Sequence, residues 1–466
     1  MSLIQGQSGV SSNRPLIGVN PKKGRDFVGR LYTPKSDSSS RQVAQDSLNQ
    51  PTVSNRQRRI KARKEKRAKK AAFYKVFDKC SRIWAEGNLD LSRATVKKAV
   101  KVALSVFLES TSGASIYHAE TDFFVSRPET DGVPEISFRG RLLGTGGFGI
   151  VHKVFMVALG DFAALKEPRK YEDSELSETL RSDKRDGAVN DLINEARILQ
   201  ALGVADGVQK PPYEVIDFHQ DGGDHIVGYM GHQYNGDMNS IRPENRAERV
   251  SVAWQLITGL ITIHGHDLRH GDIKPGNIFM DKPELGDSGE YRAYIADLGG
   301  ARYFSDIKAD FDRYSNRFQQ LPKDRQSTLV LLRFASFLIG GHTKSFNSRR
   351  KTQRGAEFLS DQMAIARSIR DGDFNMYKGI ERARDVYSLG LSLVVALGFK
   401  SEVPESHFNN LIEHLIDHET LHQDVKDALS SNGLNSRQID ILNKTLSDKW
   451  RERPSLEQLL NEFPKP

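Results

Sequence analysis

From Ile136 onward, short runs of alternating apolar and polar residues predict β-structure. ISFRGRLLG, GIVHKVFMVAL and DFAALKEP each read as a strand, with turn-forming residues between them. A long charged stretch follows (RKYEDSELSETLRSDKRDG), read as an inserted, solvated loop. The spacing then predicts an amphipathic helix around Asp191–Gln200. Beyond about Glu244 the pattern turns mainly helical. Its clearest segment, AERVSVAWQLITGLITIHGH, sets Ala253, Leu256, Ile257, Leu260 and Ile263 on one face. Upstream the pattern is weaker. Residues 1–55 are rich in Ser, Gln, Asn and Gly without a sustained apolar period, which predicts disorder. From Arg56 helix formers dominate, and Phe73, Phe77, Cys80 and Trp84 recur at helical spacing. A second helical pattern covers Leu91–Leu108, with Ser92 as its cap, and Thr111–Pro134 reads as a linker.

Composition changes the picture in two places. The formal charge is +8, but Arg56–Lys70 holds ten basic residues and one acidic, so that run alone carries +9. The charge describes a segment and leaves the rest near neutral. One cysteine, Cys80, excludes an intramolecular disulfide and a cysteine-rich zinc site, and fits a reducing, cytoplasmic setting. The N-terminus lacks the apolar run of a secretory signal. The most apolar stretches, Thr328–Gly340 and Val386–Phe399, are too short to cross a bilayer.

The candidate chemistry lies between Leu143 and Asp297. Leu143-Gly-Thr-Gly-Gly-Phe-Gly-Ile-Val151 joins two predicted strands, and its glycines allow backbone to lie against phosphate oxygens. Alone, such a hairpin is more often only a turn. A strand rather than a helix follows it, which argues against a dinucleotide fold. Ala164-Leu-Lys166 ends the next strand, where apolar flanks imply a buried lysine in need of a partner. Glu195 is placed to supply it, though in isolation a surface helix charge is the favoured reading. Leu268-Arg-His-Gly-Asp-Ile-Lys-Pro-Gly-Asn-Ile-Phe-Met280 then carries a polar loop from a helix into a strand. Its Asp272, Lys274 and Asn277 offer a carboxylate to orient a hydroxyl, a cation for a moving phosphate, and an oxygen ligand for Mg²⁺. Ala296-Asp-Leu-Gly299, after the strand YRAYIA, adds a second candidate metal ligand, Asp297.

In this order the motifs resemble the eukaryotic-type serine/threonine protein kinase superfamily, over residues 136–463. Asp385-Val-Tyr-Ser-Leu-Gly390, opening an apolar helix, and the closing segment from Leu442 through Arg453-Pro454-Ser455 agree with it. The resemblance implies an α+β, bilobal fold: a small β-rich N-lobe (about 136–240) and a large helical C-lobe (about 241–463). Ahead of it lie the tail 1–55, the basic helical segment 56–110 and the linker 111–135. It also implies ATP and Mg²⁺ as cofactors and a protein substrate. Gly144, Gly146 and Gly149 would arch over the phosphates with Phe148 at the tip, while Leu143, Val151 and Ala164 enclose the adenine. Lys166 would hold the α- and β-phosphates and pair with Glu195. Met230–Gln233 would form the hinge. Asp272 would act on the hydroxyl, Lys274 on the γ-phosphate, and Asn277 and Asp297 on Mg²⁺.

Three departures from the family pattern stand out. Gly271 occupies the place where many kinases have an arginine that meets a phosphorylated activation loop, which implies activity independent of that phosphate. Leu298 replaces the usual phenylalanine. The activation segment, 297–384, is enlarged, lacks Ala-Pro-Glu, and contains both the apolar run Thr328–Gly340 and the basic run Lys344–Arg354, so an inserted helical element is expected. Alternatives open at this point are a pseudokinase scaffold and a kinase for small molecules. The basic segment admits docking on the kinase core, a partner protein, an anionic membrane or nucleic acid. The polar, serine-rich start also resembles that of bacterial effector kinases delivered into host cytoplasm.

Overall fold

The computed structural model describes residues 59–68, 70, 71, 74, 98–100, 103, 123–126, 135–145, 149–157, 161–168, 178–219, 225–282, 290–339, 355–398, 416, 417 and 420–466. The polar tail, the aromatic face Phe73–Trp84, the loop residues Gly146 and Phe148, and the run Lys344–Arg354 lie outside them. The chain divides into two units, Met1–Arg67 and Ala68–Pro466. Backbone at 59–68 is helical with every side chain exposed. The rest of the description concerns the larger unit.

Six strands form one antiparallel sheet in the order β1-β2-β3-β4-β6-β5. They are β1 Phe123–Ser126, β2 Glu135–Thr145, β3 Gly149–Met156, β4 Asp161–Pro168, β5 Glu214–His219 and β6 His225–His232. The strands expected from alternation are β2, β3 and β4. The edge strand β1 is a correction: it lies inside the stretch expected to be a linker, pairing Phe123 with Phe138 and Ser126 with Glu135. Four residues with two adjacent aromatics are too short a run for alternation to reveal. The first helix, α1 (Glu178–Leu202), corrects the solvated loop, because the second half of that charged stretch is its opening turns. Charge hid it: the segment has no proline, and its Glu, Leu, Arg and Lys are good helix formers.

A helical region follows. After the short strand β7 (Gly236–Asp237), helix α2 (Arg246–Gly265) is opened by a capping box, with the Asn245 side chain accepting from the Glu248 amide and Glu248 reaching back. Such a cap stabilises a helix by about 1 kcal/mol. Its apolar face is fully buried at Val252, Ala253, Leu256, Ile257, Leu260 and Ile263. Short strands β8 (Leu268–Arg269), β9 (Ile278–Asp281), β10 (Arg292–Ile295) and β11 (Arg302–Tyr303) frame the polar loop. In sequence there then come α3 (Phe304–Gln319), α4 (Thr328–Ile339), α5 (Gly355–Asp371) and α6 (Phe374–Ala396). The chain closes with a β12–β13 pair (Ile416–Asp417, Thr420–Leu421) and helices α7 (Gln423–Ser431), α8 (Ser436–Thr445) and α9 (Leu456–Glu462). The apolar helix expected to open at Asp385 begins instead at Phe374, capped by Asp373, whose carboxylate accepts from the Met376 amide.

Apolar residues of the helical region fall into two cores. The larger one joins α1, α2, β9, β10, the second half of α6 and the closing helices. The other is built by Phe304, Ile307 and Phe311 of α3, Leu331, Phe334 and Leu338 of α4, Ile365 and Ile369 of α5, and Tyr377 and Ile380 of α6. The enlarged activation segment is thus a packed helical block with its own interior. A buried, two-pronged ion pair ties it to the closing segment: Arg453 reaches both oxygens of Asp361, at 3.1 and 3.3 Å. A sheet followed by a helical region fits the bilobal kinase fold.

Candidate active site

A cavity of about 560 Å³ is lined by residues of β2, β3, β4, α1, β6, the loop after it, and the segments around Asn277 and Asp297. That size suits a nucleotide-sized ligand. Leu143, Val151, Ala164 and Phe279 give it apolar walls.

Lys166 lies on β4, where pairing with Tyr229 of β6 fixes its place in the sheet. Its Nζ donates to Glu195 Oε1 and Oε2, at 2.9 and 2.7 Å, and to Asp297 Oδ1 at 2.7 Å. Glu195 reaches the site because α1 packs beneath the sheet, and its side chain is 1% exposed. Burial alone would lower the Lys166 pKa, but Glu195, Tyr229 and Asp297 together hold it well above the usual lysine value. Burial opposes ionisation of Asp297 as well. The Lys166 charge and hydrogen bond, helped by Lys274 and His270, win and keep its pKa below the usual carboxylate value. Burial raises the Glu195 pKa, with Lys166 as a partial offset.

The loop after β8 carries the second group. Asp272 Oδ2 accepts from Lys274 Nζ at 2.7 Å and from Asn277 Nδ2 at 3.0 Å, and Asn277 also donates to the Asp272 carbonyl at 2.8 Å. Helix α6 holds this loop from below: Asp385 accepts from the amides of His270 and Gly271, each at 2.8 Å, and from His264 Nε2 at 3.1 Å. The His270 ring spans the turn. Nδ1 accepts from the Asp272 amide at 3.2 Å, which leaves Nε2 to donate to the Ala296 carbonyl at 3.0 Å. Gly271 sits at φ +82°, in the left-handed region where a side chain is strained. The glycine therefore has a backbone reason as well as the chemical consequence of removing an arginine. Asp297 also adopts a left-handed conformation, φ +61°, which aspartate tolerates at a tight turn.

Of the expected residues, Leu143, Gly144, Gly149, Val151, Ala164, Lys166, Glu195, Asn277 and Asp297 all line the one cavity. Asp272 and Lys274 adjoin it through Asn277. The expected hinge Met230–Gln233 needs adjustment. Gly231 and His232 face the cavity, while Met230 turns away into a cluster with Val154, Met156, Ala163 and Leu165. The alternation of β6 instead points Tyr229 inward. Sequence reasoning also missed Gln209, Tyr234 and Phe279, because no spacing rule connects them to the motifs. The buried anchor Arg269 was missed too. It meets Glu381, and its other nitrogen donates to the Leu338 and Ile339 carbonyls at the end of α4, both at 3.3 Å.

The residues fit a magnesium nucleotide. At Gly149 an added Cβ would meet the Glu167 carbonyl oxygen at 2.6 Å, and at Gly144 it would meet nothing within 4 Å, so that wall of the cavity is bare backbone. Asn277 and Asp297 offer hard oxygen donors. Among the described residues no cluster of three or more His, Cys, Asp or Glu could cage a metal. Magnesium suits such a site, since it takes one or two carboxylates together with substrate phosphates.

Comparison with known proteins agrees. Residues 138–318 match the protein kinase domain. Cyclin-dependent kinase B2-1 of Arabidopsis thaliana is 29% identical over 169 residues, which is 35% of this chain and 49% of that protein. Casein kinase I homolog 2 of Saccharomyces cerevisiae is 25% identical over 274 residues, covering 57% of this chain and 45% of the relative. Serine/threonine-protein kinase pim-2 of Danio rerio is 29% identical over 150 residues, 30% of this chain and 46% of that one. The chain spans about half the length of these relatives. Over residues 138–318 it carries a protein kinase domain, and the relatives it resembles there include serine/threonine protein kinases. The domain match ends at residue 318, inside α3. Beyond that point the chain runs through the rest of the helical block that departs from the family pattern.

Proposed function

We propose that this chain transfers the terminal phosphoryl group of ATP to serine or threonine hydroxyls of protein substrates. The observation that carries it is the single lysine, Lys166, held between Glu195 and Asp297 in a cavity that also contains Asn277. Bound Mg²⁺–ATP supplies the electrophilic phosphorus and much of the charge neutralisation. Lys166 binds the α- and β-phosphates, kept in place by Glu195. Asn277 and Asp297 would hold the metal ion. Asp272 orients the substrate hydroxyl and accepts its proton, and Lys274, already beside Asp272, offsets charge at the transferred group. Leu143, Val151, Ala164 and Phe279 sandwich the base. The catalytic region spans residues 136–463, and the single cysteine favours a reducing, cytoplasmic setting.

A second reading has one observation in its favour. The helical block stands where an extended activation segment would present a peptide platform, which suits a kinase for a small molecule. Labelled ATP with Mg²⁺ and a panel of proteins, peptides and small alcohols separates the two. Asp272→Ala is expected to lower transfer by about 10²- to 10⁴-fold while nucleotide binding persists. Equal labelling by wild type and variant would remove Asp272 from the mechanism.

A further inference from the structure

Beyond the motif residues, the cavity contains a closed ring of hydrogen bonds. Tyr229 Oη donates to Glu195 Oε1 at 3.0 Å and accepts from Gln209 Nε2 at 3.2 Å. The other end of that amide, Gln209 Oε1, accepts from the backbone N–H of Asp297 at 3.2 Å. Asp297 Oδ1 accepts from Lys166, and Lys166 donates to Glu195, which closes the circle. Lys166 donates to both carboxylates, and from the Asp297 amide the other donors run in series through Gln209 and Tyr229 to Glu195. Tyr229 remains protonated to serve as a donor, since burial and the Glu195 charge push its pKa well above the usual phenol value.

The ring is built on fixed backbone. Gln209 follows a loop clipped to β10: its amide donates to the Ile295 carbonyl at 2.9 Å, and the Ile295 amide donates to the Gly207 carbonyl at 2.8 Å. Gly207 lets that loop press against α2, where a Cβ would meet the Gln255 carbonyl oxygen at 1.8 Å. Gln209 and Tyr229 are 6% and 4% exposed, a largely buried setting in which such bonds are stronger than in open solvent.

We propose that Gln209 and Tyr229 are positioning residues for phosphoryl transfer, tying the glutamate of α1 to the backbone of the metal-binding aspartate through a path separate from Lys166. Their work is to hold Glu195 and Asp297 at a set separation, so that Lys166 and the metal ligand stay aligned without a covalent signal. The proposal rests on the phosphoryl-transfer reading for its consequence in rate, but not for the ring itself.

The test uses the full chain with Tyr229→Phe, Gln209→Met and the double variant, all of which keep side-chain bulk. Two readouts are taken: kcat and KM with a protein substrate, and amide hydrogen exchange of the nucleotide-free protein at fixed pH. Each single variant is expected to lower kcat about 10-fold, with KM for the protein substrate unchanged. The double variant should lose little more than either single one, because one break opens the ring. Exchange should rise about 10-fold at the Asp297 amide while α2 stays protected. Losses that multiply in the double variant, or exchange that rises equally in α2, would mean two ordinary core residues and would overturn the proposal. Wild-type kcat in both single variants would also overturn it. If wild type transfers no phosphate while the Asp297 amide still responds to Gln209→Met, the ring stands and the proposed activity falls.

Discussion

Replacing Glu381 by glutamine tests the junction between the helical block and the catalytic loop. Glu381 is 3% exposed and stands between two guanidinium groups. One oxygen accepts from Arg269, and the other accepts from Arg384 at 2.8 Å. Burial opposes its ionisation, yet Arg384 and Arg269 hold its pKa below the usual glutamate value. At about 4 Å and an effective dielectric constant near 20, each attraction is worth roughly 4 kcal/mol before desolvation is subtracted. Removing the charge keeps the desolvation cost of the two buried guanidinium groups and leaves those cations facing one another. Truncating one side of a buried pair typically costs about 3–5 kcal/mol, and that is the expected loss for Glu381→Gln. With a urea slope of about 3 kcal/mol/M, the unfolding midpoint should fall by about 1–1.7 M. Because Arg269 adjoins His270, phosphoryl transfer should fall at urea concentrations where wild type is unaffected. A midpoint shift below about 0.3 M, equivalent to less than about 1 kcal/mol, would refute the buried-pair account.

Two further outcomes follow from the site. The Asp385 pKa is held low by His264, His270 and backbone amides, against a burial effect that would raise it. A depressed carboxylate stabilises the fold above its unfolded pKa of about 3.9, and that contribution is lost as pH falls through the lower folded value. The stability gap between wild type and Asp385→Asn should therefore be full at neutral pH and close below about pH 4, as followed by urea unfolding across pH. A gap that stays constant into acid would contradict the assignment. Separately, phosphatase treatment should leave transfer unchanged, because Gly271 offers no guanidinium to a phosphorylated segment; a treated enzyme without activity would show otherwise.

The site was more legible in sequence than the frame around it. Lys166, Asp272, Asn277 and Asp297 sit in short motifs whose spacing reflects local turns, so their order alone predicted a common cavity. Glu195 could be named because the helix carrying it has a regular apolar period. Tyr229 and Gln209 gave no such signal: their importance comes from tertiary pairing across 20 residues and from the β6 strand face that turns inward. Within the expected hinge, spacing did not show that Gly231 and His232 line the cavity while Met230 turns away, since a one-residue slip exchanges the two faces of a strand. The helical character of 328–339 was visible from its apolar run. Its role was not, because Arg269, which holds its last carbonyls, belongs to a motif read for other chemistry.

Helix α6 has 23 residues, a rod about 34 Å long. Its first turns are plugged into the block through Tyr377 and Ile380, and its later ones into the main interior through Leu389 and Leu393. Asp385, which grips the catalytic loop, sits between the two like the pivot of a beam. One continuous helix thus joins the block to the backbone of His270 and Gly271.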